Sequence, residues 1–217
     1  MTDAAPQSTA ETAAPSVVDP AADPFDPACL GGEIVLFDLE FTAWEGSLAR
    51  GWSEPWEHRE IIQFGAVRVR DNDSMGETGR FLCYVSPERN PQLSAYITDL
   101  TGIDQATLDN EGFDFPEAWD VFQEFCDGAR AVLSYSGDPD VLAENCRLHG
   151  LKQPDWRRYG DLDACLGRRA GPEFAQSTSY DLPTLVGLKT IGRAHDAMDD
   201  SLAIAETLRV LRRRGVI

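Results

Sequence analysis

The chain has 217 residues, of which 42% are hydrophobic and 9% aromatic, which is enough for one domain with a buried core. This composition excludes a wholly disordered chain, a collagen-like rod and a disulfide-stapled miniprotein. The net charge of −18 disfavours a protein that holds long duplexes electrostatically, although acid clusters that bind divalent metals also leave a chain acidic.

Residues 1–28 are predicted to be a disordered leader, because Ala, Pro, Ser, Thr and Asp dominate them without helical or strand periodicity. They contain five acids and no base, and they lack the basic and apolar regions of a secretory signal. No apolar run is long enough to cross a bilayer, so we expect no membrane association. The five scattered cysteines form no C-x-x-C pair, which favours reduced thiols and a cytoplasmic location.

Residues 29–217 are predicted to form a single domain that opens with three strands. Apolar runs at residues 33–37, 61–69 and 80–85 have strand character and are separated by polar or glycine-containing segments. The short polar turn between the second and third runs favours an antiparallel meander.

Helical patterns follow the three strands. An apolar stripe with helical spacing runs through residues 115–126, and a short buried strand is predicted within residues 129–135. A second stripe begins at Val141 and ends before Gly150, and a last helix presents Ile204, Leu208 and Leu211 inward. The order of these elements predicts an α/β fold, a mixed sheet flanked by helices.

The first candidate site consists of two acids on the first strand, Asp38 and Glu40. Residues two apart on a strand point to the same face, so both carboxylates lie opposite Phe37, Leu39 and Phe41. Two neighbouring acids on an apolar strand repel each other unless a cation lies between them. Oxygen ligands of this kind suit Mg²⁺ or Mn²⁺. The alternative is that the pair belongs to a solvated strand edge.

The second candidate site is the segment 195–200, which immediately precedes the last helix. Its acids, including Asp199 and Asp200, could be ordinary first-turn residues that complement the helix dipole. Alternatively, a helix-borne carboxylate binds a metal while His195, on the preceding loop, accepts a proton from water.

Three motifs in this order resemble those of the DEDDh 3′→5′ exonucleases, which have an RNase H-like fold. They are FDLEFT at residues 37–42, SYSGD-x-x-VL at residues 134–142 and H-x-A-x-x-D at residues 195–200. Residues 60–67 resemble the second strand of the family, and LTGI at residues 100–103 resembles a turn of the family. The AWE and NCRLHG segments, at residues 43–45 and 145–150, are most similar to the Eri1-like branch, much of which acts on RNA.

The resemblance covers residues 33–214 and implies a two-metal hydrolysis. Asp38, Glu40, Asp138 and Asp200 would hold two divalent ions, Mg²⁺ or Mn²⁺, and His195 would be the general base towards the attacking water. The implied substrate is the 3′ end of single-stranded RNA or DNA, with RNA slightly favoured, and the implied product is a nucleoside 5′-monophosphate.

The carboxylate of the second motif could be Asp138 or Asp140. Pro139 suits the first helical turn, which predicts that Asp138 is the N-cap at the strand-to-helix junction. Asp140 would then lie inside the first turn and point to solvent. We therefore favour Asp138.

Residues just after the first motif contact the terminal nucleotide in the family, so Phe41, Thr42 and Trp44 are candidate substrate contacts, together with Ile62 or its neighbour Ile61. Aromatic stacking at such positions tolerates any base. Phe41 and Ile62 could equally be core residues. The segment 44–58 is longer than a simple hairpin loop, which predicts a flap over the site.

Two alternatives remain open for the function. A non-catalytic nucleic-acid-binding or adaptor module could retain the same fold, but all five catalytic positions are filled in this chain. A DNA proofreading or repair exonuclease would have the same site, because discrimination between RNA and DNA depends on contacts to the 2′-hydroxyl.

Overall fold

The fold is built on a five-stranded mixed sheet in the order β3-β2-β1-β4-β5. The computed structural model describes residues 23–25 and 31–217. Strands β1, β2 and β3 form the predicted antiparallel meander, whereas β4 pairs parallel with β1 and β5 pairs parallel with β4. The strands are β1 (Glu33–Phe41), β2 (Ile61–Arg70), β3 (Glu77–Tyr84), β4 (Ala131–Ser134) and β5 (Tyr159–Asp161).

Helices cover both faces of the sheet, which confirms the predicted α/β class. A short 3-10 helix lies at Pro172–Ala175. The α-helices are α1 (Ser47–Arg50), α2 (Ala95–Thr101), α3 (Gln105–Glu111), α4 (Phe115–Phe125), α5 (Asp138–Leu148), α6 (Asp163–Arg169), α7 (Leu182–Leu185) and α8 (Ala197–Arg213).

The alternation of side chains along β1 separates two hydrophobic clusters. Val35, Phe37 and Leu39 pack on one face against α4 and α5, in the cluster that includes Phe122 and Val141. The other face carries Ile34 and Leu36, which belong to the same cluster as Ile204 and Leu208 of α8. Asp38 and Glu40 continue this second face towards the end of the strand, so the sheet aims both carboxylates towards the side on which α8 packs.

Most of the predicted leader, residues 1–22 and 26–28, lies outside the described residues. Residues 23–25, which the prediction assigned to the leader, contact the domain. Phe25 is only 1% exposed, and the Arg212 guanidinium lies 5.9 Å from its ring centroid. The Asp23 carboxylate forms an ion pair with Arg169. The rest of the predicted boundary stays a prediction.

The described cysteines are buried thiols without disulfide partners. Burial raises the pKa of Cys83 to about 11, so this thiol is protonated and unreactive at neutral pH. Cys29 lies outside the described residues, and the cytoplasmic location stays a prediction. Within residues 23–25 and 31–217, no helix combines the length and the apolar character needed to span a membrane.

Candidate active site

Three carboxylates meet at the carboxyl end of β1. Asp38 and Glu40 project from the strand, and Asp200 projects from the first turn of α8. One carboxylate oxygen from each residue lies within 4.8 Å of the other two, and all three residues are buried. The predicted pairing of the first-strand acids with Asp200 is therefore present in the structure.

Asp200 reaches the cluster because α8 begins directly against β2. A Cβ atom on Gly65 would lie only 2.1 Å from the carbonyl carbon of Ala197, so only glycine permits this approach. The Ser201 hydroxyl donates to the Gly65 carbonyl at 2.9 Å, and the Ala197 N–H donates to Oε1 of Gln63 at 3.0 Å. These contacts fix the start of α8 over the strand and thereby fix the position of Asp200.

Asp138 enters the same cleft from the start of α5, where a tight left-handed turn follows β4. Ser136 and Gly137 both have positive φ, 72° and 94°, and the first is strained for a residue with a side chain. The Asp161 carboxylate accepts hydrogen bonds from the backbone N–H groups of Ser136 and Gly137 at 3.0 and 2.6 Å, which holds the turn. Asp161 is thus a positioning residue for Asp138.

The structure distinguishes Asp138 from Asp140 as the candidate ligand. Asp138 is buried and lines the same cleft as Asp38, whereas Asp140 is exposed and faces a different cavity on the outer side of α5. The expected capping geometry is wrong by one residue: Gly137 is the N-cap, and Asp138 is the first helical residue. Glycine takes the cap because the turn requires positive φ there.

Among the described residues, no lysine or arginine lines the cleft with the four carboxylates, and the positive charge of Arg193 only partly offsets the rise in the pKa of Glu40. Burial raises the pKa of Asp38, and repulsion from Asp138 and Asp200 raises it further. Burial and the neighbouring acids also raise the pKa of Glu40 and Asp138, and burial raises the pKa of Asp200 to about 7. Oδ2 of Asp138 and Oδ1 of Asp200 are buried without a hydrogen-bond partner among the described residues. This set of hard, unsatisfied oxygens fits a divalent metal ion.

His195 lies at the rim of the cleft, and its backbone adopts positive φ, 60°. The backbone N–H of His195 donates to Oδ2 of Asp200 at 3.0 Å. The backbone N–H of Arg193 donates to Oδ2 of Asp199 at 2.8 Å. Asp196 caps α8 by accepting from the N–H groups of Met198 and Asp199. The acids of this motif therefore hold the His195 loop against the helix.

The surroundings of the His195 imidazole favour its uncharged form at pH 7. Partial burial lowers the pKa of the imidazole below its usual 6.5, and the positive charge of Arg193 lowers it further. A neutral ring can accept a proton, which is the property that a general base requires.

The predicted substrate contacts divide between the cleft and the core. Phe41 lines the cleft, where its ring packs 5.6 Å from that of Trp52. Thr42 is buried outside the cleft lining, and its hydroxyl donates to the His58 carbonyl at 2.5 Å and accepts from the Glu60 N–H at 3.0 Å. This residue ties the end of β1 to the segment before β2, which is a structural role.

Trp44 and Ile62 are also outside the cleft lining. Trp44 packs edge-on against Trp56, with ring centroids 4.7 Å apart. Ile62 is completely buried in a small core cluster with Ile97 and Leu108. Neither residue lines the cleft.

Of the apolar wall of the cleft, whose volume is about 380 Å³, sequence reasoning identified only Phe41 as a substrate contact. Leu48 is 79% exposed at its mouth, and Tyr96 is also exposed. The indole N–H of Trp52 donates to the Thr42 carbonyl at 3.2 Å, which turns the ring towards Phe41. The sequence signal for this wall was weak, because the segment 44–58 contains three tryptophans and nothing in the sequence shows which of them faces the cleft. The wall comprises Phe41, Leu48, Trp52, Tyr96, Ile97 and Leu100.

The segment 44–58, predicted to be a flap, carries its own polar core. The buried Glu57 carboxylate accepts from the Ser47 hydroxyl at 2.6 Å and from Nε of Arg50 at 3.0 Å. Helix α1 lies within this segment, and Leu48 and Trp52 project from it into the cleft. The segment therefore forms one side of the cleft.

The geometry of the cleft agrees with the comparisons to known proteins. The Exonuclease family model (RNase_T) matches residues 35–208, which is most of the chain. The nuclease domain of 3′hExo, described as a DEDDh family member bound to rAMP, is a structural neighbour with a TM-score of 0.73 and 25% identity. That likeness covers 84% of this chain and 92% of the neighbour. The chain belongs to the DEDDh 3′→5′ exonuclease family. Its RNase H-like sheet and its enzyme class are those of this family.

Curated relatives of this DEDDh chain carry exonuclease names. The 3′-5′ exonuclease Snipper of Drosophila melanogaster is 28% identical over 207 residues, which cover 85% of this chain and 70% of the relative. ERI1 exoribonuclease 3 of Homo sapiens is 27% identical over 169 residues, which cover 73% of this chain and 50% of the relative. The chain thus spans about half the length of the ERI1 relative.

Proposed function

We propose that this protein removes nucleotides one at a time from the 3′ end of single-stranded nucleic acid, preferably RNA, and releases nucleoside 5′-monophosphates. The observation that carries the proposal is the meeting of Asp38, Glu40 and Asp200 within 4.8 Å, in a cleft that Asp138 also lines. Burying four acids together costs stability in the absence of a cation, so the arrangement is explained by a catalytic requirement.

The four carboxylates would hold two divalent ions, Mg²⁺ or Mn²⁺, because their oxygens are the hard ligands that these ions prefer. When bound, the ions would supply positive charge to activate a water and to neutralise the phosphate. Asp161 keeps the turn before Asp138 in place, and the contacts of Gly65 keep Asp200 in place, so the ligand set is rigid before substrate arrives.

His195 would accept the proton of the attacking water. Its lowered pKa keeps the ring unprotonated at neutral pH, and its backbone bond to Asp200 keeps the ring at the rim of the carboxylate cluster. A base located on a loop at the cleft mouth can also exchange its proton with solvent between turnovers.

The terminal nucleoside would lie against the apolar wall of the cleft. Phe41 and Trp52 present packed aromatic rings, and Leu48 and Tyr96 are exposed at the opening. Stacking against such a surface does not depend on the base, which suits an enzyme that removes every nucleotide in turn. The carboxylates at the other side of the cleft leave the terminal phosphodiester next to the metal ligands.

The preference for RNA rests on the relatives. One relative is named an exoribonuclease, and one structural neighbour is described as recognising the 3′ end of a histone mRNA stem-loop, with 26% identity and a TM-score of 0.71. The name of Snipper specifies no sugar, so DNA hydrolysis is the other outcome that the test must resolve.

The test uses 5′-labelled single-stranded RNA and DNA of one sequence, incubated with the purified protein and Mg²⁺, Mn²⁺ or EDTA. We expect stepwise shortening from the 3′ end with either metal, faster on RNA, and no reaction in EDTA. Equal or faster shortening of DNA would contradict the RNA preference. Internal cleavage, or the absence of any shortening, would contradict the exonuclease proposal.

A further inference from the structure

A second cavity, of about 440 Å³, adjoins the catalytic cleft on the outer side of the apolar wall. Trp52 lines both cavities, so its indole is the boundary between them. The Arg59 guanidinium lies 5.7 Å from the Trp52 ring and 6.0 Å from the Phe41 ring, which makes a continuous surface from the cleft into this cavity. We call this second cavity the arginine groove; it is lined by Arg59, Arg89, Arg147, Trp52, His58 and Glu144, among others.

The arginine groove is positively charged in an otherwise acidic protein. Its two acids are already neutralised: Glu144 accepts a hydrogen bond from Nε of Arg59 at 2.8 Å, and Glu57 is paired with Arg50. Arg89 and Arg147 are exposed, and neither side chain has an ion-pair or hydrogen-bond partner among residues 23–25 and 31–217. Two uncompensated cations thus face this cavity, although the chain carries a net charge of −18.

The catalytic cleft provides no comparable charge. Its lining contains four carboxylates and no lysine or arginine among the described residues. Two divalent ions would only balance these four acids, so the upstream phosphates of a longer substrate need other cations, which the arginine groove supplies on the far side of Trp52.

Aromatic side chains accompany the arginines. His58 and Arg89 also line a smaller neighbouring cavity, together with the exposed Glu88 and with Trp56, which is 48% exposed. Cationic side chains beside exposed aromatic rings bind the phosphates and the unpaired bases of single strands, without dependence on sequence. An acidic peptide would satisfy the arginines but would not stack on these rings.

We propose that the arginine groove binds the phosphodiester backbone of the substrate upstream of the scissile bond, through Arg89 and Arg147. This proposal rests on the proposed exonuclease function and adds the route by which a single strand leaves the catalytic cleft. The groove determines the affinity for long substrates, whereas the chemistry stays with the carboxylates.

The test compares the double variant Arg89→Ala/Arg147→Ala with the control Arg70→Ala/Arg213→Ala. Arg70 ends β2 opposite Glu33, at the end of the sheet away from the catalytic carboxylates, and Arg213 ends α8, so both pairs remove the same charge from exposed positions. The readouts are the Kd of a 5′-fluorescein RNA octanucleotide in EDTA as a function of salt, and the hydrolysis of a dinucleotide, which has no upstream phosphate.

For the groove variant we expect the salt slope of the octanucleotide Kd to fall by about 1.4 and the affinity at 0.1 M salt to fall about 25-fold, since each phosphate contact contributes about 0.7 to the slope for single strands. Dinucleotide hydrolysis should be unchanged, and the control should match the wild type. An octanucleotide Kd equal to that of the control would overturn the proposal. So would a glutamate octapeptide that competes as well as RNA. Loss of binding in the groove variant, together with a wild type that hydrolyses neither substrate, would support the groove and refute the exonuclease function instead.

Discussion

The backbone N–H of His195 donates a hydrogen bond to Oδ2 of Asp200, at 3.0 Å. The bond joins the loop that carries the proposed base to the helix that carries a proposed metal ligand. A second hydrogen bond, from the backbone N–H of Arg193 to Oδ2 of Asp199, holds the other end of this loop. The spacing of the H-x-A-x-x-D motif therefore allows the loop before α8 to fold back and bond to the first turn of the helix.

Replacing His195 with alanine is expected to slow hydrolysis by roughly 10²–10⁴-fold, the usual contribution of a general base. Because burial and Arg193 lower the pKa of the ring, the wild-type rate should decrease only as pH falls below about 6.5. The rate of the variant should not show this decrease at low pH, and Mn²⁺ should still raise the Tm of the variant. A wild-type pH–rate profile in His195→Ala would show that another group accepts the proton.

The variants Asp138→Asn and Asp140→Asn should differ sharply. Asp138 lines the catalytic cleft, and Asp140 faces an outer cavity, so only the first substitution should remove nearly all metal-dependent activity. The second variant serves as a matched control in the same helical turn. Rates of 3′-nucleotide release at saturating Mn²⁺ measure the difference, and a greater loss in Asp140→Asn would reassign the ligand.

The metal-free protein is expected to become less stable as pH rises from about 4 to about 7. Asp200 titrates at about 7 in the folded protein, and unfolded aspartates titrate near 3.9, so the folded state retains a proton that the unfolded chain releases. The variant Asp200→Asn should lack the part of this loss that Asp200 contributes, while Asp38, Glu40 and Asp138, whose pKa values are also raised, still contribute theirs. We therefore expect its Tm in EDTA to exceed that of the wild type by a margin that grows up to pH 7. A margin independent of pH would show that Asp200 is not protonated in the folded, metal-free state.

Substituting Gly65 with alanine should impair both stability and activity. The new Cβ would lie 2.1 Å from the Ala197 carbonyl carbon, which forces α8 away from β2. Overpacking of this kind costs about 1–3 kcal/mol, and the displaced helix carries Asp200. Urea unfolding and kcat measure the two effects. Gly76→Ala is the control, because only the Ser74 hydroxyl, at 3.4 Å, approaches its Cβ position.

The elements with strong periodicity or a continuous apolar run were predictable, and several short elements without such a pattern were not. The strands of the meander and helix α8 have long apolar patterns, so the sequence alone predicts these elements. Strand β5 has three residues, too few for a period, and with it Asp161 was missed. Helices α2 and α3 were also missed, although Ser94 and Asp104 cap them, since each has only seven residues.

Asp38 and Glu40 were predictable because they lie two residues apart on one strand face, and Asp200 was a candidate from the first turn of the last helix, whereas Asp138, on α5, was identified through the resemblance to the family. The wall that faces the substrate was not predictable beyond Phe41. Both faces of β2 are covered, so Ile61 and Ile62 are equally buried and alternation cannot identify a cleft residue. The choice of Trp52 over Trp44 depends on a hydrogen bond to the Thr42 carbonyl, which only the folded loop creates.

The most direct measurement is the release of nucleoside 5′-monophosphate from a single-stranded RNA by the wild type and by Asp38→Asn at saturating Mn²⁺. The substitution removes one of the mutually repelling carboxylates, so the variant should remain folded, with a Tm in EDTA at or above that of the wild type. We expect the wild type to release 5′-monophosphates from the 3′ end and the folded variant to release none above background. A folded Asp38→Asn protein that retains most of the wild-type rate would contradict the assignment of the carboxylate cluster as the catalytic centre.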